Sequence, residues 1–204
     1  YGPLAADQTD VILRLARNAT SLFELVNATL DLSRLEAGTM GLELREIGVS
    51  QLLAEVIEEL EDPPIDVKFL FKEASNLGRI RTDPGKLKVI LHNLVSNAFK
   101  FTERGSVTLS TMALKGGIEF SVRDTGPGIA AEMHEVIFEA FRQGDGSASR
   151  VYGGVGLGLR IVRQLAEMLG GEVSLESREG DGAAFRVWIP VSNPVATQDP
   201  QNHV

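Results

Sequence analysis

The chain has 204 residues, 43% of them hydrophobic, enough for one good core with an appended element. A formal net charge of −8 and a pI near 5.0 exclude the basic stripe of a nucleic-acid module, so no polynucleotide partner is expected. With no cysteine, disulfides and thiolate metal sites are excluded and a reducing compartment fits, which makes cytoplasm the default.

No apolar run approaches the roughly 20 residues that span a bilayer, and no signal peptide is visible. The chain opens on Tyr1 rather than Met, which fits a piece of something larger, including a membrane-anchored parent.

From about Asp7 to Glu36 neither Gly nor Pro interrupts a seam of Val11, Leu15, Asn18, Leu22, Leu25, Thr29 and Leu32, spaced by four and three. That spacing predicts one long coiled-coil-like helix. Such a helix cannot bury its stripe against itself, so it asks for a partner. Gly38 and Gly41 mark residues 37 to 41 as a hinge, giving a division into residues 1–40, 41–192 and a disordered tail, 193–204.

After the hinge, Leu42, Leu44 and Glu46 alternate as a short strand, and Ser50 is expected to cap a helix running to about Leu60. Val67, Phe69 and Phe71 read as a strand, and Arg79 to Arg81 as a short one. Asp83-Pro84 then opens a helix to about Phe101, with Leu87, Ile90, Leu91, Leu94, Ala98 and Phe101 on its apolar face. Two strands follow around the turn Lys115-Gly116-Gly117, with Val107, Leu109, Thr111 and Ala113 inward on one and Ile118, Phe120 and Val122 on the other. A helix over about Ala131 to Ala140, a polar loop from Gly144 to Gly156, a helix to about Leu169 and two last strands complete the pattern. The last strands carry Val173 and Leu175, then Phe185, Val187 and Ile189. Hairpin strands with helices between them predict an α/β fold, a mixed sheet with a helix layer on one face.

Three features carry chemistry. On the Pro84 helix, Asn93, Asn97 and Lys100 stand at i, i+4 and i+7, so two carboxamides and an ammonium share one narrow face at the edge of the core. Carboxamide oxygens are hard donors suited to Mg²⁺, and the lysine suits phosphate; a solvated helix face with two chance asparagines has the same spacing. The second feature is Asp124-Thr125-Gly126-Pro127-Gly128-Ile129 at a strand end. Its carboxylate can accept from an exocyclic amine such as adenine's while the glycines let backbone approach, although an Asp-Gly turn looks alike. The third, Gly153-Gly154-Val155-Gly156-Leu157-Gly158-Leu159, opens a helix whose free N–H groups and dipole favour phosphate. It matches neither the strand-linked dinucleotide fingerprint nor the phosphate loop ending in Gly-Lys-Ser/Thr.

Taken in order, Asn93-x-x-x-Asn97-x-x-Lys100-Phe-Thr, Asp124-x-Gly126-x-Gly128, Phe138-x-x-Phe141-Arg142 and Gly154-x-Gly156-x-Gly158 resemble the N box, first glycine box, F box and second glycine box of sensor histidine kinases. Asp83-Pro84-x-Lys86-Leu87 and Gly170-Gly171-x-Val173 are similar to the family's flanks, and residues 30–38 to the end of the second dimerisation helix.

The resemblance implies a Bergerat-type two-layer α/β sandwich that binds ATP. By position, Asn93 and Asn97 would hold or orient Mg²⁺, Lys100 would contact phosphate, and Asp124 would read the adenine amine. Gly126, Gly128 and Ile129 would shape the base pocket. Phe138, Phe141 and Arg142 would anchor the near end of a lid from about Gly144 to Val155. Gly154, Gly156, Leu157 and Gly158 would bring backbone amides onto the phosphates. Implied partners are a second copy through the N-terminal helix, a phosphoacceptor helical hairpin and a response-regulator receiver domain.

Two departures stand out. Val155 replaces the family's frequent Thr or Ser, and the phosphoacceptor box, a His followed by an acidic residue on the first dimerisation helix, is absent. His92 lies inside the N box, His134 on an expected surface helix and His203 in the tail. Three functions stay in play: a histidine kinase catalytic region, a gyrase- or chaperone-type hydrolase, and a non-catalytic nucleotide-binding module. Asn93 disfavours the hydrolase, whose general base is a Glu at that position, because an amide takes no proton at neutral pH. A neutral imidazole is already a nucleophile and needs no water activated.

Overall fold

Asp83 and Pro84 start the helix on which the site is built, for a local reason. The Asp83 carboxylate caps the first turn by accepting from the Lys86 amide at 3.1 Å, while Pro84 takes the first helical position, where no N–H is needed. The computed structural model describes residues 37–75, 77–139 and 156–192, with scattered positions between 8 and 35. The elements in order are β1 (Arg45–Gly48), α1 (Val49–Glu59), β2 (Val67–Lys72), β3 (Arg79–Thr82), α2 (Pro84–Phe101), β4 (Gly105–Leu114) and β5 (Gly117–Asp124). Two single 3₁₀ turns follow, Ala131–Met133 and Val136–Phe138, and then α3 (Gly158–Met168), β6 (Glu172–Ser177) and β7 (Ala183–Pro190).

Five strands form one mixed sheet in the order β2-β4-β5-β7-β6, with β2 parallel to β4 and the other pairs antiparallel. β1 and β3 form a separate antiparallel pair. Alternation decides which face is covered. Val107, Leu109 and Thr111 of β4, Ile118, Phe120 and Val122 of β5, and Phe185, Val187 and Ile189 of β7 are all buried. They meet a helix layer that supplies Leu52, Leu53 and Val56 of α1, Leu87, Ile90, Leu91, Leu94 and Val95 of α2, and Ile161, Val162 and Leu165 of α3. The α/β two-layer architecture read from the sequence is the one observed.

Several local readings change. The first strand is Arg45–Gly48, displaced from the Leu42–Glu46 alternation, and Gly48 rather than Ser50 precedes α1, with no side-chain cap. The expected helix over Ala131–Ala140 is two 3₁₀ turns as far as residue 139, broken where His134 and Glu135 leave the first turn. Phe101, 39% exposed, and Ala113, also exposed, leave the inward sets because each lies at the end of its element.

The chain divides into two units, Tyr1–Met40 and Gly41–Val204. In the first, every described position from Gln8 to Leu35 is helical, and Val11, Leu15 and Leu22 are exposed. Asn18, Leu25 and Leu32 of the expected seam lie outside the described residues, as do residues 193–204.

Asp83 does more than cap. Its Oδ2 accepts from Lys86 Nζ at 2.7 Å and from the Glu43 amide at 2.9 Å, so the segment entering the domain is tied to the start of α2. Burial alone would raise its pKa, but the bonds from Lys86 and from the Glu43 and Lys86 amides outweigh it and the pKa falls below 3.8. A lowered folded-state value adds stability that is complete above the unfolded pKa and is lost as pH falls through the folded one. Asp83→Ala is therefore expected to cost about 2 kcal/mol in urea unfolding at pH 7, the sum of a lost cap and an orphaned amide. The gap to wild type should hold down to pH 4 and narrow below it; an equal gap at pH 7 and pH 3 would rule out the ionic part.

Candidate nucleotide site

α2 presents Asn93, Asn97 and Lys100 on one side, all half-buried, with Leu94, Val95 and Ala98 in the core beside them. Asn93 Nδ2 donates to the Val89 carbonyl at 2.8 Å, which turns its Oδ1 away from its own helix. What lies opposite is the first turn of α3. A Cβ built on Gly158 would stand 2.8 Å from Asn93 Oδ1 and 3.7 Å from Asn97 Nδ2. A side chain there would push the Asn93 carboxamide aside. Leu157, 1% exposed, precedes Gly158, and among the described residues no side chain caps α3, whose first turn lies beside the two carboxamides.

Lys100 Nζ lies 5.4 Å from the centroid of the Phe101 ring. His92, next to Asn93, points to the other side, where its Nε2 is 3.2 Å from Glu59 of α1; Lys88 pairs with Glu55 and Glu59 at 2.9 and 2.7 Å. It is a strut between helices and not part of the polar stripe.

The second half of the site is the end of β5. Asp124 is 7% exposed, and its Oδ1 accepts from the Gly126 amide at 2.8 Å and the Ala183 amide at 3.3 Å. Among the described residues no donor reaches Oδ2. Burial pushes the Asp124 pKa up, against the pull of the two amides and of nearby Arg123. Gly126 is held close, since a Cβ there would meet the Phe101 carbonyl at 2.7 Å; α2 and the first glycine stretch therefore touch. Gly128, at φ +70°, faces the Arg178 carbonyl, and Ile129 donates to Ser177 Oγ while its carbonyl contacts His134 Nε2 at 3.1 Å.

Phe138 is buried edge-on against Phe185, ring centroids 6.3 Å apart, with the Arg163 guanidinium 5.2 Å from its ring. Gly156, at φ +71°, leads into Leu157. Phe141, Arg142 and Gly154, together with Val155 and the rest of the expected lid before Gly156, lie outside the described residues.

The fold thus brings together the polar stripe, the Asp124 loop and the start of α3, a carboxylate acceptor at one end and carboxamides beside a helix start at the other. Residues 82–193 match the family described as histidine kinase-, DNA gyrase B-, and HSP90-like ATPase. The chain belongs to this family. It is an ATP-binding catalytic region of the histidine kinase kind. The circadian input-output histidine kinase CikA of Synechococcus elongatus is 36% identical over 98% of this chain, which spans only 27% of that protein. The structure of full-length ShkA in complex with AMPPNP superposes with a TM-score of 0.75 and 36% identity, covering 93% of this chain and 40% of that one. The catalytic domain of histidine kinase ThkA, nucleotide-free, gives 0.61 and 30% over 74% of this chain and 99% of that one. Among the described residues of this kinase-type ATPase domain, no helix is long and apolar enough to cross a membrane.

Sequence reasoning missed the residues that hold the loop from outside it. Gly182, at φ +78°, lies so close to Asp124 that a Cβ there would stand 2.1 Å from the Asp124 carbonyl oxygen. Thr125 Oγ1 accepts from Ser106 on the other side at 2.9 Å. The only signal for Gly182 was the pair Gly180 and Gly182 between the last two strands. Both glycines have positive φ, but at Gly180 a Cβ would meet nothing within 4 Å. Gly180→Ala should cost about 1–2 kcal/mol, the left-handed penalty alone. Gly182→Ala should cost a further 2–3 kcal/mol, roughly, from the backbone clash. Thermal unfolding of the two variants checks this, and equal melting temperatures would contradict the close approach.

Proposed function

We propose that this chain binds Mg²⁺–ATP and passes the γ-phosphoryl group to a histidine presented on a helical hairpin. The observation that carries the reading is the pairing of a buried carboxylate having, among the described residues, one oxygen unused with a carboxamide pair facing the start of α3. Asp124 Oδ2 would accept from the adenine amine, and Asp124 is held for that by amides on its other oxygen. The donor set fits Mg²⁺ through Asn93 Oδ1, which is turned out of its helix toward the space that a side chain at residue 158 would fill; Asn97 presents Nδ2 to the same space and would offer its oxygen once its amide turned over. Mg²⁺ when bound supplies charge neutralisation to the phosphates. Lys100 and the amides at the start of α3 add donors to the same oxygens.

In the transfer, a neutral imidazole nitrogen attacks the γ-phosphorus and the bond to the β-phosphate oxygen breaks, with ADP leaving. This chain orients the reactants and stabilises charge, and it need not abstract a proton. Asn93 stands where a water-activating carboxylate would serve a hydrolase, which favours transfer over hydrolysis. The exposed Val11, Leu15 and Leu22 of the N-terminal unit support dimerisation through that helix. A receiver domain as downstream partner and a cytoplasmic location follow from the same reading.

Calorimetric titration with a non-hydrolysable ATP analogue is expected to give binding that Mg²⁺ strengthens; no heat at millimolar ligand with Mg²⁺ would end the reading. Asp124→Asn should abolish the preference for adenine over guanine, since the amide offers a donor where only an acceptor stood. The same variant should keep or gain fold stability. A carboxyl whose folded pKa is raised costs stability once ionised, and that cost vanishes with the charge.

With labelled ATP and a separate hairpin carrying an acceptor histidine, acid-labile, base-stable phosphate is expected on the hairpin. An unlabelled hairpin, together with ATP turnover that Asn93→Ala abolishes, would replace the kinase reading by a hydrolase.

A further inference from the structure

We infer that Ser177 is a positioning residue for the base pocket, acting through the Gly182–Ala183 peptide on the Asp124 carboxylate. The inference rests on the reading of Asp124 as the acceptor for adenine. Ser177 is the last residue of β6, half-buried, across the turn from the start of β7. Its hydroxyl does two things at once. It accepts from the Ile129 amide at 2.9 Å and donates to the Gly182 carbonyl at 2.6 Å. One proton and two lone pairs allow both.

The second bond matters because of what shares its peptide plane. The carbonyl of Gly182 and the N–H of Ala183 belong to one rigid unit and point in opposite directions. Ser177 holds the carbonyl end, and the N–H end donates to Asp124 Oδ1 at 3.3 Å. A bond that long is lost with a small rotation of the plane. Donation into the carbonyl also polarises the peptide and strengthens its N–H as a donor. Ser177 therefore acts with the Gly126 amide to keep Asp124 Oδ1 occupied and the carboxylate in its orientation.

The first bond acts from the other side. By holding Ile129, it pins the far end of the Asp124–Ile129 loop to the same turn. One more tie joins loop and turn, Gly180 N–H to the Pro127 carbonyl at 2.7 Å, and it is made by backbone alone. Of these ties, only those of Ser177 can be removed without altering the chain's path. A hydroxyl that merely closed a turn would affect stability and leave base discrimination untouched, and the two roles separate on that point.

The test is equilibrium binding with Mg²⁺ of three ligands: a non-hydrolysable ATP analogue, the corresponding GTP analogue, and tripolyphosphate, which has no base. Ser177→Ala should raise the Kd for the ATP analogue about tenfold and pull the ATP-over-GTP preference toward one. Tripolyphosphate binding should stay within about twofold of wild type. Ser177→Thr, which keeps the hydroxyl, should restore the preference. If Ser177→Ala does not fold, Ser177→Cys fills the same space with a far weaker donor and acceptor and is judged by the same ratios.

Asp124→Asn runs in parallel to separate the two claims. Preference lost in Asp124→Asn but kept in Ser177→Ala overturns the positioning role alone. Preference kept in Asp124→Asn overturns the adenine reading on which that role rests.

Discussion

A carboxylate buried at the end of the sheet's middle strand is the constraint around which the rest of this domain is arranged. Asp124 ends β5, which lies between β4 and β7, and each neighbour holds part of the loop that begins there. β7 supplies the Ala183 amide, and β4 supplies the Ser106 amide that fixes the adjoining Thr125. The demand for space is as strict as the demand for donors. Gly126 and Gly182 press against Asp124 and the end of α2 with no room for a side chain, and Gly182 needs a positive φ besides. A domain selected for stability alone would replace such a charge with an apolar residue. Its retention, with one oxygen left unused among the described residues, is what a site for an amine-bearing ligand requires.

The second half of the site depends on how closely two helices approach. α3 begins beside Asn93 and Asn97, where Gly158 leaves their carboxamides room, and its first turn lies next to them. α2 is held in place from its start by the Asp83 cap, which also takes the Glu43 amide from the entering segment, and from its flank by Lys88 and His92 on the acidic residues of α1. The helix that carries the stripe is thus fixed at its start and along one flank, on the side away from Asn93. Rigid supports under an open polar face are the arrangement that positioning and electrostatic catalysis call for.

Most of the architecture was legible because its signals are local. Asp83-Pro84 and the spacing of Leu87, Ile90, Leu91 and Leu94 mark α2 from Pro84 to Phe101, and Lys115-Gly116 marks the β4–β5 hairpin. The stripe of Asn93, Asn97 and Lys100 and the acceptor Asp124 could be picked out for the same reason: each is a periodic or terminal feature of one element. What could not be read depends on contacts between distant segments. Nothing near Gly182 in sequence says that it meets Asp124, far away in the chain, or that Ser177 bonds the Gly182 carbonyl behind it, and the register of β5 on β7 creates that meeting. The helix expected near Ala131 fails because Phe138 answers to the Phe185 ring and His134 to the Ile129 carbonyl, not to a helical face. Ser50 loses its capping role because Gly48, at the end of β1, already turns the chain into α1.

The central claim is that Asp124 reads the base. A high-resolution structure of the complex with Mg²⁺ and a non-hydrolysable ATP analogue tests it most directly. The adenine amino group should lie about 3 Å from Asp124 Oδ2, with Oδ1 still held by the amides of Gly126 and Ala183. Phosphates seated at the start of α3 with the base turned away from Asp124 would contradict the account.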